Sequence, residues 1–192
     1  MKIKDLVLKN RSYRRFYQEE AVGRGILEEL VDLARLSASG ANMQPLKFIL
    51  CHEAGINARV FGQLKWAAYL KDWEGPPEGE RPSAYILILG DRNIAEDYHC
   101  DHGIAAQSIL LGAVEKGLGG CIIASIGKVG LRQALDIPGR YEILLVLALG
   151  RPKETVILEQ VGPEGDVKYW RDKEGRHHVP KRSLEELILE PG

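Results

Sequence analysis

Ile26, Leu27, Leu30, Val31 and Ala34 recur at spacings of three and four, the interval that stacks side chains on one face of an α-helix. The small residues that follow, Ser37-Ala-Ser-Gly-Ala-Asn42, carry no such period and predict a loop. Leu46 to Cys51 reads as a short strand. Helical spacing returns from Phe61 to Leu70 through Leu64, Trp66, Ala67, Ala68 and Tyr69, and it predicts a second helix. Gly75-Pro-Pro-Glu-Gly79 must be irregular, because proline has no amide proton to give a helix interior. Ala84 to Gly90 is apolar without interruption, the pattern of a strand covered on both faces. Asp101 to Lys116 predicts a helix packed on small residues and closed by Gly117-Leu-Gly-Gly. Cys121 to Ala124 reads as a strand, and Lys128 to Leu135 as a short helix stopped at Asp136-Ile-Pro138. Glu142 to Leu149 is the strongest strand of the chain. Helix and strand alternate four times, which predicts a three-layer domain of α+β or α/β type spanning residues 1–192.

The tail follows another rule. Val167-Lys-Tyr-Trp-Arg171 and Arg176-His-His-Val179 flank Asp172-Lys-Glu-Gly175, a hairpin-like turn signal. Ser183-Leu-Glu-Glu186 is a capping box opening a last short helix. Beyond the strongest strand little of the same chain is left to pack on, so residues 160–192 are expected to wrap a second subunit.

Composition narrows the class. Among 192 residues, 26 Lys and Arg nearly balance 27 Asp and Glu, leaving a net charge of −1 and no field for broad nucleic-acid binding. Forty-five per cent of residues are apolar and 28 per cent charged, which fits a globular domain and not a disordered one. The longest apolar run, Ile143 to Leu149, falls far short of the ~20 residues of a membrane span, and no apolar leader follows Met1. Three scattered cysteines suit a reducing cytoplasm. A soluble, cytoplasmic protein with no nucleic-acid or membrane partner is expected.

Three clusters could carry chemistry. In Arg11-Ser-Tyr-Arg-Arg-Phe16, guanidinium groups and a hydroxyl suit a phosphate dianion, and a solvated basic segment has the same composition. In Ser39-Gly-Ala-Asn-Met-Gln-Pro45, small residues admit a planar ligand to the backbone while the amides match ring edges, and an ordinary Asn/Gly loop has that composition too. Lys181-Arg182 beside the capping box is either a third anion contact or plain surface charge. Trp66, Tyr69 and Trp73 suit a core, an interface or a lid over a flat ligand.

Other motifs fail. His99-Cys-Asp-His102 sits at adjacent positions that do not converge on one metal, and no metal site is expected. Gly117-x-Gly-Gly120 precedes a strand instead of following one, Gly127-Lys-Val129 lacks the phosphate-loop spacing, and no nucleophile elbow occurs.

Taken together, the motifs resemble the FMN-dependent nitroreductase family. Arg11 to Phe16 is similar to its phosphate motif, and Leu36 to Pro45 to its Pro-Ser-x-x-Asn-x-Gln-Pro loop. Asp101-x-Gly-x-Ala-Ala-Gln107, Gly117 to Cys121, Ile137-Pro138, Ala148 to Glu154 and Val179 to Glu186 follow in the family's order. Ala38, Leu46 and Asn10 depart from it, where proline, an aromatic and arginine are common.

The resemblance implies an α+β three-layer fold around a mixed, mostly antiparallel sheet, with the tail exchanged in a homodimer that holds FMN at its interface. It implies that Arg11, Ser12, Lys181 and Arg182 hold the FMN phosphate, with Tyr13 and Arg14 along the ribityl chain and pyrimidine edge. Ser39, Gly40, Asn42 and Gln44 would come from the partner chain, and Ile123, Ala124 and Ser125 would offer backbone groups to the ring. It implies NAD(P)H as electron donor and a nitroaromatic, quinone or related small acceptor. Because the flavin carries the electrons, no catalytic protein nucleophile or base is needed, and Arg14 is the residue placed to stabilise a reduced ring. Dehalogenation, flavin fragmentation or dehydrogenation on the same fold, and a non-enzymatic flavin-binding dimer, are the alternatives.

Overall fold

A computed structural model describes residues 1–191. The chain opens with α1 (Ile3–Lys9) and α2 (Arg24–Arg35), and a single 3-10 turn, Gly40–Asn42, precedes β1 (Leu46–Cys51) and α3 (Ala54–Phe61). Then come β2 (Ala84–Asp91), α4 (Asp101–Glu115), β3 (Gly119–Ile123), α5 (Lys128–Ala134) and β4 (Tyr141–Gly150). The tail supplies β5 (Val156–Gln160), β6 (Trp170–Arg171), β7 (His177–Lys181) and α6 (Leu184–Leu187).

The main sheet has the order β1-β2-β4-β3. All its pairings are antiparallel, with Phe48 opposite Ile88, Leu87 opposite Val146 and Cys121 opposite Ala148. Every residue of β2 is buried, which is why its sequence shows no alternation. Ile86, Ile88, Leu147 and Leu149 point to one face, where Leu27 and Leu30 of α2 and Ala106 and Ile109 of α4 cover them. Tyr85, Leu87, Leu89 and Val146 point to the other, under Val60 of α3, Trp66 and Leu131 of α5. Burial of each such Leu or Ile contributes about 1.5–3 kcal/mol, so both helical layers are held by the same strands. The fold is α+β in three layers, as expected. Parallel pairing enters only at its margins, in a bridge between Ser12 and Gly120 and in the tail sheet.

The expected helix over Phe61 to Leu70 is absent. The helix there is α3, which begins at Ala54 and ends at Phe61. Leu64 then bridges Ile126, the Lys65 amide donates to the Ser125 carbonyl at 3.0 Å, and Ala67 takes a positive φ of 40°. Residues 125–127 thus take backbone groups of Gln63 and Lys65 that a continuing helix would use internally, while Leu64 and Trp66 enter the core one at a time. Apolar spacing reported burial there, but not helix.

The tail is ordered by strand pairing. It has a place on its own chain, where β5-β7-β6 form a three-stranded sheet with β5 parallel to β7 and β6 antiparallel to it. Arg171 reaches Glu154 at 2.9 Å, and the His177 amide donates to the Thr155 carbonyl at 2.9 Å. The turn at Asp172–Gly175 and the capping box at Ser183 and Glu186 form as the sequence predicts. Only the last segment stays outside, with Leu184, Leu187, Ile188 and Leu189 exposed. Among the described residues no helix is long and apolar enough to cross a membrane.

Candidate active site

The N-terminal segment after α1 lies along the open edge of β3, and the tail strand β7 closes the space from the other side. Between them is a cleft of about 300 Å³, lined by Arg11, Ser12 and Arg14, by Gln107 and Leu110 of α4, by Gly120 and Ile122 of β3, and by Tyr169, His177, Val179 and Lys181. Gly119 allows the close approach, since a Cβ there would lie 2.5 Å from Tyr13 Cδ2. The Tyr13 amide donates to the Gly120 carbonyl at 3.0 Å, and a Cβ on Gly120 would lie 2.6 Å from the Ala148 carbonyl oxygen. Arg11 Nη2 donates to the Val7 carbonyl at 2.7 Å and the Tyr13 hydroxyl to Lys9 at 3.0 Å, so both side chains satisfy carbonyls at the C-terminal end of α1. Arg11 Nε is buried without a protein acceptor.

Arg14 is fixed from every side. Its amide donates to the Glu154 carboxylate, and Nη1 donates to the Ser12 carbonyl at 3.2 Å and meets His177 Nε2 at 3.1 Å. Its guanidinium lies 4.7 Å above the Tyr169 ring. Because a guanidinium can only donate, His177 Nε2 accepts and the ring proton sits on Nδ1. Burial, then the charges of Arg14 and Arg171, hold the His177 pKa down to about 4, so this imidazole is neutral.

Glu154 anchors the arrangement. Its side chain is fully buried and accepts from the amides of Arg14 and Arg15 and from Arg171 Nη2. Arg15 itself turns away to Glu80, with Nη2 to Oε1 at 2.7 Å. The sequence placed Glu154 inside a motif without assigning it a role, and Tyr169 and His177 were not picked out as site residues. Their contribution depends on the tail folding back, and the residues around them carry no local pattern that announces it.

Several of the named residues lie outside the cleft of their own chain. Ser39, Gly40, Asn42 and Gln44 gather at the N-terminal end of α4. There the Ser39 hydroxyl donates to Asp101 Oδ2 at 2.6 Å, the Gly40 amide to Oδ1 at 2.9 Å and the Gln44 amide to Ser39 Oγ at 2.9 Å. Along α4 that loop is roughly 9–14 Å from Gln107 and Leu110, and it does not line the cleft of its own chain. Ala41, Asn42 and Gln44 all hold positive φ, of 46°, 55° and 52°, a concentration of backbone strain that the Asp101 bonds maintain. Ile123 faces the core, Ala124 and Ser125 follow the end of β3, and it is Ile122 that opens toward the cleft. Arg182 pairs with Glu186 at 3.3 Å on a separate surface, leaving Lys181 alone of that pair in the cleft. Cys121 is buried, and burial raises its thiol pKa. Trp73 stacks under Arg171 at 4.3 Å, and Tyr69 packs 5.0 Å from Tyr169.

A model of the Nitroreductase family matches residues 7–151, most of the chain. The chain belongs to the nitroreductase family. The match contains Arg11 to Arg14 and the Ser39 loop but stops before Tyr169, His177 and Lys181, so the tail wall of the cleft lies outside it. Solved structures show the same fold. A nitroreductase family protein from Clostridium novyi NT is 24% identical, with 80% of this chain and 88% of that one covered at a TM-score of 0.66. An FMN-dependent nitroreductase from Clostridium difficile R20291 is 21% identical over 79% and 88%, at 0.64. A nitroreductase family protein from Streptococcus pneumoniae TIGR4 is 17% identical, yet covers 99% of this chain and 100% of that one at 0.70, so the likeness of fold runs through the tail.

Proposed function

We propose that the protein is an FMN-dependent oxidoreductase that takes a hydride from NAD(P)H and passes it to a nitroaromatic, a quinone or a related small acceptor. The observation that carries this reading is the cleft's charge. Arg11, Arg14 and Lys181 line it, no carboxylate does, and Arg11 Nε is a buried donor with no protein acceptor. That donor set fits a phosphate monoester, with the Ser12 hydroxyl and Lys181 completing it. Ile122, 42% exposed, gives the same cleft an apolar wall on which a flat ring can rest.

When bound, FMN supplies the two-electron chemistry. The chain's residues bind it and tune it. Arg14, oriented by Glu154, neutral His177 and the Tyr169 ring, is a preorganised cation that favours the electron-rich form of a ring beside it. No protein side chain has to exchange a proton for this role, and the low His177 pKa keeps that neighbour neutral at physiological pH.

A homodimer completes the reading. The Ser39–Gln44 loop, remote from its own cleft, would reach the cleft of the partner, and the exposed apolar residues of α1 and α6 would be covered there. The test is anaerobic mixing of the purified protein with NADH and with NADPH while following the visible flavin spectrum. One or both should bleach it, and a quinone or nitroaromatic should restore it. A bound flavin that neither nucleotide reduces would point to a carrier. Bleaching without acceptor turnover would point to other chemistry on the same ring.

A further inference from the structure

Away from the cationic cleft, a cavity of about 170 Å³ lies between α3 and the start of β2, and it shares no residue with the cleft. Orphan polar atoms concentrate in its wall. Tyr85 Oη, Ser83 Oγ, Asn57 Oδ1 and Arg81 Nε are all buried without a protein partner. Tyr85 is completely buried, and Ser83 and Asn57 are 7% and 9% exposed. Leaving a buried polar atom unpaired is strongly unfavourable, so four around one small space call for a polar occupant.

The donors and acceptors define that occupant. Asn57 Nδ2 donates to the Ser83 carbonyl at 2.8 Å, which leaves Oδ1 as the amide's free acceptor. Arg81 is held over the Phe61 ring at 4.3 Å, and its amide donates to Gln18 Oε1 at 3.1 Å, so its Nε–H is a fixed, charged donor. Burial raises the Tyr85 pKa, keeping that hydroxyl a donor. No carboxylate lines the cavity. One cationic donor and two hydroxyls match an anion, and the free Asn57 Oδ1 matches one donor on the same molecule.

Size sets the rest. Drug-sized ligands need pockets of ~300–1,000 Å³, whereas a cavity of ~150 Å³ accommodates benzene with its six heavy atoms. We propose that this cavity is a binding site for a small hydroxycarboxylate. Arg81, Tyr85 and Ser83 donate to the carboxylate, and Asn57 Oδ1 accepts from the hydroxyl.

Titration calorimetry of the purified protein with lactate tests it, with acetate as the probe that lacks the hydroxyl. Lactate should bind saturably at one site per chain and more tightly than acetate. Tyr85→Phe and Arg81→Gln, each with an unchanged far-UV spectrum, should weaken lactate about tenfold or more. Loss of the cationic cleft by Arg11→Ala with Lys181→Ala should leave lactate binding intact, which separates this site from the flavin reading. Arg81, partly exposed, keeps the test available if Tyr85→Phe does not fold. Absence of saturable lactate binding would mean that water alone occupies the cavity and would overturn the proposal. So would lactate binding that both substitutions leave unchanged, or acetate binding as tightly as lactate.

Discussion

His177 shows how one side chain ties charge, stability and site together. Its ring is almost wholly buried and accepts from Arg14, and burial with the charges of Arg14 and Arg171 holds its pKa down to about 4, against 6.5 for a free imidazole. Between those values the unfolded chain binds a proton that the folded chain refuses. The stability owed to the neutral ring is therefore complete above about pH 6.5 and is lost as pH falls toward 4, by at most about 3 kcal/mol. His178, next in sequence, works in the opposite sense. Glu159 and then Asp172 raise its pKa, so its contribution is full below about pH 6.5 and fades as pH rises above it. Urea unfolding of His177→Gln should flatten the acid limb while leaving the limb above neutrality. An acid limb as steep as that of the parent protein would assign the effect to other groups. None of this was legible in His177-His178 as letters. A strand puts adjacent residues on opposite faces, and only the fold says which one meets Arg14.

At the scale of elements, the sheet was readable because burial on both faces forces an unbroken apolar run such as Ala84 to Gly90. The same logic found α2, α4 and the strands beside them. It missed α1, which buries no residue and so leaves no apolar stripe, and it misplaced α3, because Leu64 and Trp66 mimic a helical period from an irregular segment. β3 bears on the site most directly, since Gly119 lets Tyr13 lie against it and Gly120 lets it pack closely on β4 and α4. Gly120→Ala should cost about 1–3 kcal/mol through overpacking, because the new methyl meets a backbone carbonyl that cannot rotate away. Flavin content should fall with it, as β3 is pushed away from β4 and carries the bridged Ser12 along. Thermal unfolding read beside flavin absorbance checks this, and a variant unchanged in both would show that β3 yields more easily than its packing indicates.

For the whole molecule, Arg11, Ser12 and Lys181, which the sequence grouped because cationic and hydroxyl groups advertise anion chemistry by type alone, line one cleft. The sequence could not foresee that Glu154 organises the wall, since that arises only when chain segments far apart in sequence meet, whereas Arg182 turns to Glu186 through a local pairing one helical turn away. The exposed end of the tail bears on assembly. Ending the chain after Ser183 removes Leu184, Leu187, Ile188 and Leu189, the last of them 87% exposed, while keeping every cleft residue. Light scattering should find the parent protein dimeric and the shortened one monomeric; a shortened chain that stays dimeric would place the interface elsewhere. The most direct test of the account is the ratio of flavin to polypeptide in the purified protein and in two variants. The parent and Arg182→Ala should carry stoichiometric FMN, and Arg11→Ala combined with Lys181→Ala should lose it, each lost charge-assisted bond being worth about 1.5–3 kcal/mol. A colourless parent protein that ignores added FMN, or a double variant that keeps its full complement, would contradict the assignment of the cleft.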